Sequence, residues 1–589
     1  MNARYGGACR GDYDCAVRIS LLACGAALAV ALAVVFVQPV DEPWWIHADP
    51  DGAYVGSSLN ILLGNHTHYL DHPGLPTQDA VALGFGAKYL IDKAGGRVDN
   101  RQMFVDRQLL NLDRGRLVYR GWAIVVFVGG AALVYWALAL FLGHWTWGLA
   151  GSLLYIGAPA IADRAFGLRP DAPLAALCVA IAVLIASAFT RRSAGRYAWA
   201  AALLGLALTW KLPAFGLLVP LAVAALWRPP EAGWTRPLIG GAGRWMRRHI
   251  YWLVPVVAAW VYLCVVFNRD RLPVFTNDMQ RHVVENWGAV LGGFVVLGAI
   301  ADRFQLPGAS RLFSRFTALV ALAFTAGFAL PVTLILDDGI QSVAAMWDSL
   351  TGGNVNANIP AFADFTFRSL FEFPIRSATL VLALAIAGAI VGARRQIWWP
   401  TLLALGALLL AVLAAARLSY PNYYAPAFAV AIPPALWFLK ARRTSVPLVG
   451  WAVVLAVIVP VFLHLDRSVK SEEAVNAAAH DLAAQLLKPG EVILAPYDIP
   501  IEDVRYDELV DGFVDYVPST YPYRFLPIGS PRITERHLTP RYYVAPAAEI
   551  TSVSSGSSVD LGGVGYVLRP LSIRWGPDGG YGVARIVGP

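Results

Sequence analysis

Apolar stretches long enough to cross a bilayer recur from near one end of this chain to about residue 465, and nothing constrains its fold more. The first, residues 19–40, holds no charged residue. Others follow at 121–142, 145–162, 172–189, 250–267, 287–301, 316–336, 378–392, 397–416, 425–439 and 446–465. The run 197–227 is too long for one helix and short for two. Trp210-Lys211-Leu212-Pro213 interrupts it, which predicts a hairpin of two short helices with Lys211 at the turn. At ~17–25 residues per span, these runs make about thirteen transmembrane helices. Bulk composition agrees: 57% of the 589 residues are hydrophobic and 15% charged, where soluble domains carry roughly 25%. The mean hydropathy is +0.53. The expected fold class is an all-α polytopic membrane protein.

The basic residues test that count. Residues 1–18 carry Arg4, Arg10 and Arg18 and read as cytoplasmic. Counting from there, the inner loops receive Arg191, Arg192 and Arg196, then Arg228, Arg236, Arg244, Arg247 and Arg248. Arg303, Arg311 and Arg315 follow, then Arg394 with Arg395, and Lys440 with Arg442 and Arg443. Every basic cluster at a span end falls on one side, as the positive-inside rule requires, and one span fewer would put half of them outside. The net charge of +7 therefore sets topology and does not point to nucleic acid. An uncleaved first span and the Ala- and Arg-rich composition place the chain in a bacterial inner (plasma) membrane.

The odd total puts residues 466–589 outside. Composition changes there. Residues 471–487 have helical spacing, and 492–496, 541–546, 564–568 and 582–587 read as short strands between Gly and Pro breaks. The expected organisation is a cytoplasmic segment 1–18, a membrane body 19–465 with a first outer loop 41–118, and a small C-terminal extracytoplasmic α/β domain. Cys9, Cys15, Cys24, Cys178 and Cys264 have no metal spacing, and none lies in the large outer loops or the tail, so no disulfide framework is expected.

Residues 41–78, DEPWWIHADPDGAYVGSSLNILLGNHTHYLDHPGLPTQ, pack acids, histidines, aromatics, prolines and glycines into one outer stretch. An ionised acid at a membrane face serves as a general base when a substrate hydroxyl comes within reach. A second acid nearby raises its pKa or helps hold a divalent cation. Asp49-Pro50-Asp51 offers such a pair, and its plainer reading is two solvated acids around a turn. His72-Pro73-Gly74-Leu75-Pro76 re-aims the chain after a helix-like stretch 53–63. The next outer loop carries Asp163, Arg164, Arg169 and Asp171, and a later one Arg417, Tyr420, Tyr423 and Tyr424. Acids to activate a hydroxyl, cations to hold a phosphate and aromatics to stack on a sugar thus share one face. Lys211 and Arg417 suit a lipid phosphate as charges at span ends, with snorkelling as the plainer account. Tyr423 and Tyr424 also fit an interfacial aromatic belt. His66, His68, Asp71 and His72 invite a zinc reading, but the spacing is one residue too long for metallo-β-lactamase-like hydrolases and the strands of that fold are missing nearby. The outer stretch 337–376, rich in Phe, suits a mobile loop or an interfacial helix.

An acidic motif after span one, a following His-Pro, Leu208-Thr209-Trp210-Lys211 after a short span, a late Tyr-Tyr before a span and a terminal outer segment together resemble the GT-C glycosyltransferase superfamily. The branch most resembled is that of protein O-mannosyltransferases and aminoarabinose transferases. The resemblance implies a sugar donor on a polyprenyl or dolichyl phosphate and a first-loop catalytic acid, carried here by Asp51 first and Asp49 second. Lys211, Arg417, Arg164 and Arg169 would bind donor phosphate. His72, Asp163, Asp171, Tyr423 and Tyr424 would meet substrate. Two features depart from that group: Pro50 splits the acids, and His-Pro-Gly stands where His-Pro-Pro is commoner. No cofactor is required, with Mg or Mn on Asp49 and Asp51 as the alternative. The expected partners are the lipid-linked donor, a glycan, lipid or protein acceptor and the bilayer. A transporter or flippase of lipid-linked saccharides would want ionisable residues within the spans and repeated halves. A polymerase or ligase of surface glycans would differ in having a lipid-linked acceptor.

Overall fold

The computed structural model describes residues 9–37, 52–65, 74–158, 161, 167–230, 315–332, 375–417, 424–441, 469–496, 499–514, 518, 521–552, 558–561, 564–576 and 579–588. Among these, a helical bundle carries a second layer of short helices and one sheet. The bundle contains α1 (Cys9–Val37), α5 (Arg116–Leu142), α6 (Trp145–Ile156), α7 (Asp171–Arg191), α8 (Ala194–Trp210), α9 (Leu218–Trp227), α10 (Arg315–Val332), α11 (Ile375–Arg394), α12 (Trp399–Arg417) and α13 (Ala425–Ala441). By length and composition, Val17–Phe36, Leu112–Leu142 and Asp171–Arg191 are sufficient to cross a membrane. Within the stretch read as a span over 145–162, α6 ends at Ile156 and is closed by Gly157. The expected spans 250–267, 287–301 and 446–465 lie outside the described residues.

Small residues let the helices approach closely. A Cβ on Gly205 of α8 would strike the backbone of Phe324 in α10, and one on Gly327 would strike that of Ala202. The interrupted run is a hairpin. Tyr197, near the start of α8, donates its hydroxyl to Ala224 O at 2.9 Å and Arg228 O at 3.0 Å, at the end of α9. A 3-10 turn, Leu212–Leu217, makes the bend.

One end of the bundle collects the basic residues. Arg191 and Arg394 sit in the last turns of α7 and α11, and Lys440 in that of α13. Arg228 lies over the Phe189 ring at 5.2 Å. Trp227 meets Trp398 at 5.3 Å, and Trp399 meets Trp437 at 5.7 Å. Cations at helix carboxyl ends are favoured by the peptide dipoles, and the indoles make the aromatic girdle usual at a membrane interface.

The opposite end carries the second layer. Its first part is α2 (Ala53–Leu63), α3 (Leu75–Ala94), α4 (Arg101–Leu109) and a 3-10 turn Leu112–Gly115 that leads into α5. Asn100 caps α4 by accepting from Met103 N at 2.8 Å. Its second part is α14 (Val469–Leu486), β1 (Glu491–Ala495), α15 (Glu502–Phe513), β2 (Phe525–Pro527), α16 (Arg532–Glu535), β3 (Thr539–Pro546), α17 (Ala547–Ser552), β4 (Ser558–Leu561), β5 (Val564–Trp575) and β6 (Tyr581–Gly588). The sheet order is β2-β1-β3-β6-β5-β4. β1 runs parallel to β2 and β3, and the other pairs are antiparallel.

Strand alternation divides the sheet between two cores. Ile493, Ala495, Val544 and Val583 face Val475, Ala479 and Leu482 of α14. Val492, Leu494, Tyr543 and Ala584 join a core shared with Tyr54, Leu59, Phe85 and Phe104 of the first-loop helices. Residues 469–588 therefore do not close their hydrophobic core alone.

Candidate active site

The site is built where four pieces of chain meet at the loop end of the bundle. α7 begins at Asp171, directly after Pro170, with its acid in the first turn. The positive end of the helix dipole favours a carboxylate there. α8 stops at Trp210 because Lys211 is extended, with φ −165° and ψ 137°, and Pro213 follows within two residues. α7 and α8 are antiparallel, so the start of one meets the end of the other. Lys211 Nζ lies 2.8 Å from Asp171 Oδ1, and both residues are buried, 8% and 2% exposed. Removing two charges from water is costly, and the close contact and two helix ends offset that cost.

α3 docks onto the same corner. Gly74 N donates to Trp210 O at 3.1 Å, and Trp210 Nε1 donates to Thr77 Oγ1 at 3.1 Å. Gly74 has φ +35°, and a Cβ there would run into the ring of Tyr54, so this position needs glycine. α2 lies beside α3 in the same direction. Tyr54 meets Gly74, Ser58 Oγ donates to Gln78 O at 3.0 Å, and Leu62 reaches Gly86. The amino end of α3 therefore meets the end of α8 beside the Lys211–Asp171 pair at the start of α7, with the amino end of α2 packed against α3. Helix amino ends present N–H groups and positive partial charge, which suits an anion such as a phosphate.

Two further groups are near in the chain, Arg169 two residues before Asp171 and Asp79 two residues after Thr77. Arg169 is half-buried, and its Nε has no hydrogen-bond partner among the described residues. It lines a narrow cleft with Thr77, Trp122, Ala172 and Pro173. Asp79, on the second turn of α3, is 6% exposed, and neither carboxylate oxygen has a hydrogen-bond partner among the described residues. Burial pushes its pKa up to about 7. A carboxyl poised near neutrality is suited to proton transfer.

Of the residues singled out from sequence, the structure brings Asp171 and Lys211 into direct contact. Lys211 was expected to bind phosphate and Asp171 to meet substrate; in the structure each is the other's counter-ion. Arg169 lies two residues before Asp171 at the same helix start. Tyr424 is buried at the entry to α13. Arg417 closes α12, and its side chain is outside the description. Asp49, Asp51, His72, Asp163, Arg164 and Tyr423 lie outside the described residues, as does any cation site on Asp49 and Asp51. Description resumes at Gly52 and Gly74, so Asp51 is next in sequence to the start of α2, and His72 lies two residues before Gly74. Among the described residues, no group of three or more His, Cys, Asp or Glu side chains is placed to hold a metal.

Sequence reasoning missed Asp79 and the Trp210–Thr77 contact. The apolar run by itself suggests a helix over residues 80–89, which leaves Asp79 outside it. Pro76 at the second helical position marks the earlier start and was the available signal.

No family model and no curated protein matches this chain. Among solved structures, ArnT from Cupriavidus metallidurans in the apo state aligns over 98% of this chain and 100% of its own, at 14% identity and a TM-score of 0.30. The same protein bound to undecaprenyl phosphate aligns over 99% of this chain and 100% of its own, at 14% identity and a TM-score of 0.26. The alignments run end to end, while the TM-scores say that the helices do not superpose closely.

Proposed function

We propose that this protein transfers a sugar from a polyprenyl-phosphate donor to a hydroxyl or amine of a glycan, lipid or protein acceptor at the outer face of the plasma membrane. The observation that carries this is the buried Lys211–Asp171 pair at the amino end of α7, met at Trp210 by the amino end of α3 through Gly74 and Thr77. Gly74, the Arg169-Pro170-Asp171 start of α7 and the Trp210-Lys211 end of α8 come from three separated stretches of the chain and meet there. Asp51, with Asp49 second, accepts the acceptor's proton. The acceptor oxygen or nitrogen attacks the anomeric carbon as the lipid phosphate leaves, and direct displacement inverts that centre. The leaving phosphate gains charge as the bond breaks. Helix amino ends, Lys211 and Arg169 stabilise that charge, where fixed electrostatics lower a barrier most, and Arg164 and Arg417 are assigned the same role. Asp171 holds Lys211 in place, and His72, Asp163, Tyr423 and Tyr424 are assigned to binding the sugar.

The test is transfer from a radiolabelled polyprenyl-phosphate sugar to acceptor in membrane extract, using purified protein in detergent. Wild type should transfer and Asp51→Asn should not, while folding is retained. Transfer undiminished in Asp51→Asn moves the base to Asp49 or Asp79. No transfer by wild type from any lipid-linked donor removes the enzyme reading. A parallel set with EDTA separates a metal-free site from one with Mg or Mn on Asp49 and Asp51.

A further inference from the structure

A second concave site lies in the C-terminal segment, away from Lys211. Its walls are the turn between α14 and β1, with Lys488 and Glu491, and the strand-entry loop Tyr521–Arg524, closed by Arg536 after α16. Its volume is about 610 Å³, room for a small oligosaccharide. The loop is held rigidly from beneath. Asp503 is buried, and its carboxylate accepts from Arg524 N at 2.7 Å, Phe525 N at 3.1 Å and the Tyr521 hydroxyl at 3.2 Å. Tyr521 stacks on Tyr506 with ring centroids 3.6 Å apart. Tyr523 stands 4.8 Å from Tyr521, and its buried hydroxyl makes no hydrogen bond among the described residues.

The charge on this groove is one-sided. Arg536 donates to Tyr521 O at 3.0 Å and Pro518 O at 2.6 Å and covers the Tyr523 ring at 5.1 Å. Carbonyls and a ring orient it without cancelling its charge. Among the described residues, neither Arg536, Arg524 nor Lys488 has a carboxylate partner for its side chain. Glu491 is the one acid among the described residues of the wall, and its carboxylate accepts from Arg541 Nε at 3.0 Å and Lys488 N at 2.9 Å. Three cations against one acid, Glu491, therefore border a pinned aromatic wall. Guanidinium and ammonium groups hold carboxylate or phosphate by charge-assisted hydrogen bonds, and aromatic rings with a polar tip give an apolar face for the C–H side of a sugar.

We propose that this groove binds an anionic saccharide, with its carboxylate or phosphate on Lys488, Arg524 and Arg536 and a sugar face against Tyr521. The ligand is held there and not transformed, since among the described residues no unpaired acid lines the groove to act as a base. The site is independent of any transfer chemistry at Lys211.

The experiment is calorimetric titration of the full-length protein in detergent, at about 150 mM salt so that diffuse attraction is screened. The probes are trigalacturonate, glucose 6-phosphate, neutral maltotriose and inorganic phosphate. Saturable binding is expected for at least one charged sugar and not for maltotriose. The Lys488→Ala/Arg524→Ala variant, whose side chains are exposed and support nothing beneath them, should keep the wild-type melting temperature and bind at least about tenfold more weakly. The proposal is overturned by absence of saturable binding to both charged sugars, or by undiminished binding in the folded variant. Inorganic phosphate binding as tightly as glucose 6-phosphate, with trigalacturonate inert, would reduce the groove to a plain anion site and overturn the saccharide assignment.

Discussion

The two ends of the helical bundle treat charge in opposite ways. At the basic end, Arg191, Arg192, Arg394, Arg395 and Lys440 are exposed. They rest on helix carboxyl ends and backbone carbonyls, as when Lys440 donates to Leu142 O or Arg395 to Ala441 O. At the loop end, Lys211 and Asp171 are buried and paired, and Asp79 is buried with no pair among the described residues. Exposed cations cost little and fix orientation by their number. Buried ions are costly and are retained where position matters. The contrast marks the loop end as the candidate site without reference to any relative.

The largest test removes one half of the pair. Lys211→Met leaves Asp171 as an uncompensated buried charge and should cost about 3–5 kcal/mol, read as a fall in melting temperature in detergent. Asp171→Leu/Lys211→Met should recover most of that stability. If transfer stays lost in the double variant, the lysine charge serves the substrate; if transfer returns with stability, Lys211 is only a structural counter-ion.

Asp79 comes next, and it predicts a pH dependence of known sign. The unfolded chain ionises this carboxyl near 3.8 and the folded chain near 7. The contribution of Asp79 to stability is thus greatest below the lower value, declines as pH rises between the two, and is flat above. The span is on the order of a few kcal/mol. Asp79→Asn should therefore melt higher than wild type at pH 8 and no higher at pH 4.5. Equal melting shifts at both pH values would show that Asp79 is solvated.

Gly74→Ala is smaller. Its Cβ meets the Tyr54 ring at a positive φ, so α3 must shift from Trp210 or strain the backbone, at about 1–3 kcal/mol. Loss of protection of the Trp210–Thr77 junction in hydrogen exchange would report the shift. The smallest effect belongs to the basic end. Lys440→Ala should change stability by less than about 1 kcal/mol, as for other exposed surface substitutions. A loss comparable to that of Lys211→Met would erase the contrast between the ends.

Much of this was legible in the chain itself. The residues 53–63 read as helical are those of α2, since an apolar run between Gly52 and Gly64 has natural stops at both ends. The strands read at 492–496, 541–546, 564–568 and 582–587 overlap β1, β3, β5 and β6. β2 and β4 are three and four residues long, too short for alternation to register. The break at Lys211 followed from Pro213, but its partner did not. Asp171 lies forty residues away, and only the antiparallel return of α8 along α7 brings the two together.

The sequence alone determined the membrane-embedded helical body and the side on which its basic residues gather, because hydrophobic length and charge count are local properties that the bilayer reads directly. It determined where helices break, because proline and glycine act on their own backbone. The tertiary structure alone decided that Lys211 is matched by Asp171, that Asp79 is buried with no partner among the described residues and that the sheet shares its core with the first loop. These are properties of surfaces brought together from distant segments, and the desolvation and pairing that give them their energy do not exist until the chain has closed.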